Sequence, residues 1–249
     1  MKSPVQTALV FGATSAIATA YCRILAGRGA VLHLVGRDGD ALQSLADDLG
    51  VRGAKGVSIA VTDLCETGQH EQLVAQGWQQ LDGPDLVLLA HGTLGTQAEN
   101  ETDWELQRSL IQTNLISHLS LLSLLANRFE QQGNGCLAAI SSVSGDRGRA
   151  SNYIYGATKA GLSCYLQGLQ QRLAHAGIRV VDLRPGPVDT PMTAGLQKGI
   201  LWSTPERVAR AMDNGLEYRS GTLYLPFYWR PIMAVIRILP GSLLRRLGI

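Results

Sequence analysis

The sequence contains little cysteine. Its four cysteines, Cys22, Cys65, Cys136 and Cys164, are widely spaced and form no Cys-x-x-Cys pair or Cys/His cluster. This spacing excludes an obvious zinc site and a small disulfide-stabilised scaffold, so we expect no bound metal. It also favours reduced thiols and a cytoplasmic location for the protein.

The chain also lacks a strong charge imbalance and a long apolar run. Its 22 basic and 20 acidic residues give a formal net charge of +2, which argues against a general nucleic-acid binder. No uncharged apolar stretch reaches the roughly 18 residues of a membrane-spanning helix, so we do not expect one. Hydrophobic residues make up 45% of the 249 residues, which is a globular composition and enough for one large domain.

Charge is distributed unevenly along the chain. Residues 218–249 contain five arginines and no acidic residue, whereas the first 217 residues carry 17 basic and 20 acidic residues. The arginines are Arg219, Arg230, Arg237, Arg245 and Arg246. A mildly acidic body is therefore followed by a basic and apolar C-terminal segment.

Short apolar segments alternate with segments of helical periodicity. The predicted strands are 7–11, 31–35, 57–61, 86–90, 136–141 and 180–183. The predicted helices are 16–27, 40–49, 66–80, 103–131 and 153–176, with a further helix capped by Thr204. This alternation predicts an α/β fold with a single Rossmann-like domain, in which a doubly wound parallel sheet carries helices on both faces. Ligands of such sheets bind at the carboxyl ends of the strands, so the residues that follow each strand are candidates for a site.

The first strand is followed by the loop GATSAIA. Gly12 supplies a tight turn, and a helix begins directly afterwards, as a pyrophosphate site requires. Ala16 and Ala18 stand where glycines are usual, and they still permit close approach of a ligand to the backbone. Alone this motif is weak evidence, because an ordinary tight turn explains it equally well.

The ends of the second and third strands bear on which nucleotide binds. Gly36 occupies the position where an acidic residue would bind the ribose 2′-hydroxyl of NAD, and Arg37 follows it. A guanidinium binds phosphate through its planar fork, so this pair favours NADP(H) over NAD(H); the alternative is a solvated surface arginine. Asp63 is a candidate acceptor for the adenine amino group or a cap for the next turn.

A serine, a tyrosine and a lysine form the candidate catalytic set. Ser142 follows the fifth strand, and Tyr155 and Lys159 are spaced to share one helix face. An ammonium near the phenol is expected to lower the tyrosine pKa, and the serine hydroxyl can stabilise charge on a substrate oxygen. A Tyr-x-x-x-Lys pair often occurs by chance, but its combination with Gly12 and Arg37 does not.

These motifs together resemble the classical short-chain dehydrogenase/reductase family over nearly the whole chain. The matching segments are GATSAIA with Gly12, QTNLIS with Asn114, ISSVSG with Ser142, YGATK with Tyr155 and Lys159, and RPGPVDTPM. The resemblance implies an NADP(H)-dependent carbonyl reductase. In it Tyr155 acts as acid/base, Lys159 orients the cofactor ribose and tunes Tyr155, Ser142 polarises the carbonyl, and Asn114 holds a water in a proton relay.

The resemblance also implies which residues bind the cofactor, with Val188 and Thr190 at the nicotinamide carboxamide. The cofactor-binding residues so predicted are Gly12, Thr14, Ser15, Ala16, Ile17, Arg37, Asp63, Ala90, His91, Gly92, Tyr155, Lys159, Pro185, Gly186, Val188 and Thr190. We expect residues 1–217 to form the dinucleotide-binding and catalytic unit, and residues 218–249 to form an extension of the same domain.

Some residues depart from the family pattern. Phe11 replaces the usual Thr, and Leu89-Ala90-His91-Gly92 replaces Asn-Asn-Ala-Gly. We expect His91 to pack or to bind the backbone and not to act in catalysis. The loops GATSAIA and AHGTLG and the C-terminal segment are similar to reductases of polyprenyl-phosphate-linked keto-sugars. The alternatives are a soluble oxoacyl or small-ketone reductase, a non-catalytic NADP(H) sensor, and a structural membrane adaptor.

The C-terminal segment 223–249 combines aromatic, aliphatic and arginine residues, a composition that suits peripheral contact with a membrane interface. The aliphatic residues on one side of its predicted helix are Ile232, Val235, Ile236 and Leu239. Pro231 and Pro240 bracket a helix too short to span a bilayer. Alternatively, the segment covers the substrate pocket or a subunit interface. The family resemblance further suggests a homodimer or homotetramer formed through helices 103–131 and 153–176.

Overall fold

A single parallel sheet organises the protein. The computed structural model describes residues 5–242. Its seven strands have the spatial order β3-β2-β1-β4-β5-β6-β7, and every neighbouring pair is parallel. They are β1 (Thr7–Phe11), β2 (Val31–Gly36), β3 (Gly56–Val61), β4 (Leu86–Leu89), β5 (Cys136–Ile140), β6 (Arg179–Pro185) and β7 (Gly221–Leu225). The predicted fold class is confirmed.

The strand order reverses between β1 and β4. The chain adds β2 and β3 on one side of β1 and then returns to pair β4 with its other side. Phe11 of β1 is in register with Val35 of β2 and with Leu89 of β4. Gly12, Gly36 and the loop after β4 therefore meet at the same edge of the sheet, where doubly wound folds bind their ligands.

Helices cover both faces of the sheet. The helices are α1 (Ala16–Ala26), α2 (Gly39–Val51), α3 (His70–Leu81), α4 (Gln97–Thr102), α5 (Trp104–Ile111), α6 (Ser117–Gln132), α7 (Tyr153–Leu173), α8 (Pro205–Leu216) and α9 (Trp229–Ile238). Helices α1, α2 and α8 bury residues such as Leu25, Leu42 and Met212 in one core. Helices α3, α6 and α7 bury residues such as Leu125 and Leu162 in a second core on the opposite face. Strands covered on both sides are apolar throughout, which explains their uninterrupted hydrophobic runs.

The long helix predicted at 103–131 is interrupted. Helix α5 passes through a π-helical turn, Gln112–Ile116, into α6. The combined helix Trp104–Gln132 is long and apolar enough to cross a membrane by length and composition, but 44% of its most apolar window is buried inside the protein. Leu121 and Leu125 on this helix are fully buried in the core. Core packing therefore accounts for its apolar composition.

The C-terminal segment differs from its prediction. Residues 221–225, which we did not expect to form a strand, make β7 and pair with β6. Pro231 lies within the first turn of α9 instead of preceding the helix, because first-turn residues need no backbone N–H donor. Helix α4 was also not expected. Arg245 and Arg246 lie outside the described residues.

A buried ionic network joins the last strands to the loop after β5. Arg184 on β6 is only 5% exposed, and its Nε donates to Asp182 Oδ2 at 2.7 Å. Its guanidinium also donates to Asp146, which follows the 3₁₀ helix Val143–Gly145. Tyr224 of β7 donates its hydroxyl to Asp146 Oδ2 at 2.7 Å, and Ser141 donates to Asp182. Buried charges need such partners, so this network fixes the position of the loop.

Replacing Tyr224 with Phe is expected to destabilise the fold by about 2 kcal/mol, because Asp146 loses a hydrogen bond in a partly buried network. Tyr165→Phe is the matched control, since its hydroxyl contacts Ser123 Oγ at 2.7 Å in an exposed position. Urea unfolding of both variants measures the difference. Equal losses in the two variants would show that the network does not hold β7 and the loop together.

Candidate active site

The predicted site residues meet in one cavity of about 770 Å³ at the carboxyl edge of the sheet. All predicted catalytic and cofactor-binding residues line it, except Asn114. Ser142 follows β5, Tyr155 and Lys159 lie on α7, and the glycine turn follows β1. The volume is in the range of small-molecule and cofactor sites.

Gly12 lines the cavity and packs directly against the backbone of the loop after β4. Its φ is +73°, a conformation that favours glycine. A β-carbon placed on Gly12 would lie 2.5 Å from the backbone nitrogen of His91, so any side chain here would collide with the loop after β4. The Gly12 and Ala13 amides both donate to Val35 O, at 2.8 and 3.1 Å. The structure thus leaves a side-chain-free cradle at the start of α1.

The amino end of α1 faces this cradle. Ser15 caps the helix by accepting a hydrogen bond from the Ala18 amide at 3.3 Å. Thr14, Ala16 and Ile17 line the cavity, whereas Ala18 is fully buried in the core. The first turn contains no acidic residue, so backbone N–H groups and the helix dipole are available to an anion. Of the two alanines that replace family glycines, only Ala16 affects the shape of the cavity.

The charged residues after β2 and β3 differ in whether other groups of the protein already bind them. Arg37 lines the cavity, is exposed, and has no ion pair with any residue of the described range. Asp38, the next carboxylate along the chain, caps α2 by accepting from the Ala41 amide at 3.0 Å and does not line the cavity. Asp63 accepts from the Cys65 amide at 2.9 Å, which is the capping role considered above. Its contact with adenine stays a prediction.

The three predicted catalytic side chains are brought together. Lys159 is 3% exposed, its Nζ lies 5.8 Å from the centre of the Tyr155 ring, and it donates to Ile140 O at 2.9 Å. Ser142 is buried beside them and accepts from the Ser144 amide at 3.0 Å, which leaves its hydroxyl proton for another acceptor. A phenol, an ammonium and a hydroxyl thus face one space.

The direction of the tyrosine pKa shift corrects our expectation. Burial raises the pKa of Tyr155 to about 12, and the opposite influence of the Ser142 hydroxyl is smaller. Burial also lowers the pKa of Lys159 to about 8, against the attraction of Asp182. Desolvation dominates, and the Lys159 ammonium donates its hydrogen bond to the backbone carbonyl of Ile140 and not to the phenol. Tyr155 is therefore a proton donor at neutral pH in the nucleotide-free protein.

Asn114 holds a loop rather than lining the cavity. It is fully buried in the π-helical turn, where its Nδ2 donates to Thr93 O at 2.7 Å and its Oδ1 accepts from the Thr93 amide at 2.8 Å. A β-carbon on Gly92 would lie 2.9 Å from Asn114 Oδ1 and 3.7 Å from Lys159 Nζ, so Asn114 lies near the lysine. Its side-chain amide is occupied by the backbone of the loop after β4. The water contact implied by the family resemblance stays a prediction.

His91 packs as expected. Its Nε2 lies 2.9 Å from Ser117 Oγ, and its ring stacks on His118 at a centroid distance of 3.8 Å. Burial, with a smaller contribution from the Lys159 charge, lowers the pKa of His91 to about 3. The ring is therefore neutral and serves as a wall of the cavity.

Most of the segment RPGPVDTPM lines the cavity. Pro185 ends β6, and the Gly186 amide donates to Leu225 O at 3.0 Å. A β-carbon on Gly186 would lie 2.0 Å from Trp229 Nε1, so the indole packs directly on this glycine. Val188 and Thr190 also line the cavity. Helix α9 therefore contributes a side chain to the site.

Several cavity residues were missed by the sequence reasoning. Among them are Arg149 and Asn152, in the loop between the ISSVSG and YGATK motifs, and Trp229 on α9. A charged residue between two catalytic motifs was an available signal for Arg149. Trp229 gave no such signal, because only the tertiary structure brings α9 to Gly186.

The burial of Lys159 predicts a pH-dependent cost in stability. Up to pH 8 the folded chain holds a desolvated ammonium, whereas the ordinary lysine pKa is 10.5. Stability should therefore rise as the pH increases from about 8 to 10.5, where the folded state releases the proton first. Without nucleotide, Lys159→Met is expected to be more stable than the wild type by up to about 3 kcal/mol at pH 7.

Urea unfolding at several pH values measures this difference between the two proteins. It should shrink toward alkaline pH, where lysine is neutral in both states. A difference that is independent of pH would mean that burial of the Lys159 charge is not its source.

Comparison with known proteins agrees with this geometry. The family described as short chain dehydrogenase matches residues 6–200. An uncharacterized oxidoreductase of Mycobacterium tuberculosis is 36% identical over 239 residues, covering 96% of each chain. An uncharacterized oxidoreductase of Streptomyces coelicolor is 37% identical and covers 99% of this chain and 97% of its own.

Solved structures show the same fold. A short-chain dehydrogenase/reductase from Mycobacterium ulcerans superposes with a TM-score of 0.81 at 22% identity, covering 90% of this chain and 89% of that one. Actinorhodin polyketide ketoreductase, solved with NADPH, has a TM-score of 0.78 at 23% identity and covers 88% and 95%. With the family match over most of the chain, the protein belongs to the short-chain dehydrogenase/reductase family and is an NAD(P)-dependent oxidoreductase.

Proposed function

We propose that the protein is an NADPH-dependent reductase that converts a ketone to a secondary alcohol. The observation that carries the proposal is the convergence of Ser142, Tyr155 and Lys159 on the cavity that also contains the Gly12 cradle. A dehydrogenase needs a nucleotide site and a proton donor within reach of one reacting carbon, and this cavity offers both.

The residues of the cavity fit a nicotinamide nucleotide. The cradle and the amino end of α1 would hold its pyrophosphate, and Arg37 would bind the 2′-phosphate that distinguishes NADPH from NADH. The availability of Arg37, together with the capping role of Asp38, supports the preference for NADPH. Val188 and Thr190 would lie at the carboxamide. When bound, the cofactor supplies the hydride.

Three side chains of the protein supply the proton and stabilise the negative charge that develops during the reaction. Tyr155 donates its phenolic proton to the ketone oxygen as hydride reaches the carbonyl carbon, which balances the two-electron reduction. Its raised pKa keeps that proton in place at neutral pH. The Ser142 hydroxyl donates a hydrogen bond to the same oxygen while negative charge develops there. Lys159 stabilises the phenolate that remains, since its ammonium lies over the Tyr155 ring.

A narrower proposal concerns the substrate. We infer that the ketone is carried on a polyprenyl-phosphate-linked sugar. The apolar side chains of the cavity, Leu94, Val143, Met192, Leu196 and Trp202, support an extended apolar substituent. Helix α9 buries Trp229, which lines the cavity, and Met233, and it exposes Val235 and Ile238, which supports peripheral contact with a membrane. A small soluble ketone is the alternative substrate.

Liposomes separate these two substrates. A reductase of lipid-linked ketones should act faster when its substrate is presented in liposomes, and Val235→Ser with Ile238→Ser should reduce that gain without changing NADPH affinity. Turnover of small ketones that is insensitive to liposomes would exclude the lipid-linked substrate. The cytoplasmic location and a homodimer or homotetramer through α5–α6 and α7 stay predictions.

The Tyr155→Phe variant tests the catalytic assignment. It lacks the proton donor but keeps the ring in the cavity, so turnover should fall by roughly 100-fold or more with little change in NADPH affinity. Tyr153→Phe is the matched control on the same helix, where the side chain is 48% exposed. Ketone reduction is followed by NADPH absorbance, and binding by calorimetry.

Wild-type turnover in Tyr155→Phe would contradict the mechanism. NADPH binding without turnover of any ketone by the wild type would favour the non-catalytic sensor instead.

A further inference from the structure

The loop between β5 and α7 contributes a cation to the cavity that the proposed chemistry does not use. Arg149 lines the cavity and lies on the segment between Ser142 and Tyr155, whereas the glycine cradle and Arg37 follow β1 and β2. The loop is held in place by Arg147, whose guanidinium donates to Arg237 O at 3.2 Å and to Leu239 O at 3.3 Å, at the end of α9. Arg149 therefore projects from a fixed segment.

Within residues 5–242 no carboxylate forms an ion pair with Arg149. Its Nε is buried without a hydrogen-bond partner in the same range. Burial lowers the pKa of Arg149, and the nearby charge of Asp146 opposes that shift. Both oxygens of Asp146 are already engaged, Oδ1 by Arg184 and Oδ2 by the Tyr224 hydroxyl. A buried guanidinium with an unmet donor is costly, and a ligand that accepts hydrogen bonds would remove that cost.

Trp229 also lines the cavity, and among the described residues its indole N–H is a second donor without a partner. Trp229 is 7% exposed. Asn152, at the start of α7, donates from Nδ2 to Ser144 Oγ at 3.2 Å, and its Oδ1 is unpaired. The two N–H donors come from different elements, α9 and the loop after β5. Both atoms are buried, so each side chain has to move slightly for its N–H to reach a group with several acceptor oxygens in the cavity.

The charge of this end of the cavity also favours an anion. Asp63, which follows β3 at the nucleotide end, is the only acidic residue among the described residues that line the cavity. The loop after β5 and helix α7, which carry Ser142 and Tyr155, contribute the two cations Arg149 and Lys159 to the cavity lining. An oxyanion in this space would be attracted by both cations and opposed by no lining carboxylate.

We propose that Arg149 binds an oxyanion carried by the substrate, a phosphate ester or a carboxylate, and makes the enzyme selective for anionic ketones. This inference rests on the proposed reductase function and names the substrate class for the same site. The Trp229 indole donates a second hydrogen bond to the oxyanion. The ketone carbon then lies between this anchor and the cofactor, within reach of Tyr155.

Binding of methyl phosphate and acetate tests the anchor without any turnover. Calorimetry with the NADPH-saturated protein should show binding of one of these anions, and Arg149→Gln should weaken it by roughly 10–100-fold. Arg149→Lys, which keeps the charge, should retain part of the affinity. Arg108→Gln is the matched control, because Arg108 lies on the surface and pairs with Glu105 on its own helix. Unchanged anion affinity in Arg149→Gln would overturn the proposal, as would an equal loss in Arg108→Gln.

The same titration on nucleotide-free protein, with Arg37→Gln compared with the Arg37→Gln/Arg149→Gln double variant, separates this inference from the proposed function. The cradle at the start of α1 is the same in both proteins, so the difference in anion affinity reports on Arg149 even if NADPH does not bind. Loss of NADPH affinity in Arg149→Gln, with anion affinity unchanged, would assign Arg149 to the cofactor and overturn the proposal.

Matched ketones identify the source of the oxyanion. Dihydroxyacetone phosphate against dihydroxyacetone tests the phosphate, and 2-oxobutanoate against 2-butanone tests the carboxylate. In the wild type the anionic member of one pair should have the higher kcat/KM, and Arg149→Gln should reduce that preference by roughly 10-fold or more. Equal preference in both proteins would contradict the assignment.

Discussion

The ion pairs that Arg184 makes with Asp182 and Asp146 fix the geometry on which the active site depends. Arg184 and Asp182 lie on β6, and Asp146 belongs to the loop that carries Ser142. Charges this deeply buried remain ionised only when each is paired, so the loop cannot move without leaving a carboxylate unpaired. Tyr224 extends the same constraint to β7. The strand that presents Pro185 and the loop that presents Ser142 are therefore held as one unit.

This network also sets the electrostatics of the cavity. Asp182 acts on Lys159 and partly offsets the burial that lowers the lysine pKa. The two carboxylate oxygens of Asp146 accept hydrogen bonds from Arg184 and Tyr224. Asp146 therefore does not pair with Arg149, which lines the cavity. The site thus contains a desolvated ammonium, a phenol that keeps its proton, and unmet N–H donors. The desolvated ammonium and the unmet N–H donors each cost stability when no ligand is bound, and under the proposed function they become favourable when a nucleotide and an anionic ketone bind.

Local patterns in the sequence predicted most of the sheet, because strands buried on both faces are short apolar runs separated by helical periodicity. Gly12, Ser142, Tyr155 and Lys159 were also found, since each follows a strand or shares a helix face at a fixed spacing. The strand β7 was missed because its alternation is short and lies within a segment whose aromatic and basic composition suggested an interface. The π-helical turn at Asn114 was missed because it depends on tertiary contacts with the loop after β4.

Properties set by burial were the least predictable. We expected Lys159 to lower the pKa of Tyr155, but the fold directs its ammonium to Ile140 O and desolvation dominates. The roles of Arg149 and Trp229 depend on which neighbouring carboxylates and glycines are already occupied, and sequence spacing carries no such information. The sequence analysis assigned no role to Arg184, which is the centre of the buried network.

The central claim is that this cavity binds NADPH, and energy transfer from tryptophan to the nicotinamide tests it most directly. Of the four tryptophans, Trp202 and Trp229 line the cavity, so they should dominate the transfer to bound NADPH. We predict saturable transfer that is strongly reduced in Trp229→Phe and Trp202→Phe, and unaffected in Trp104→Phe. Arg37→Ala should weaken the NADPH titration and leave the NADH titration unchanged. Absence of transfer with both nucleotides, or transfer that does not depend on Trp202 and Trp229, would contradict the account.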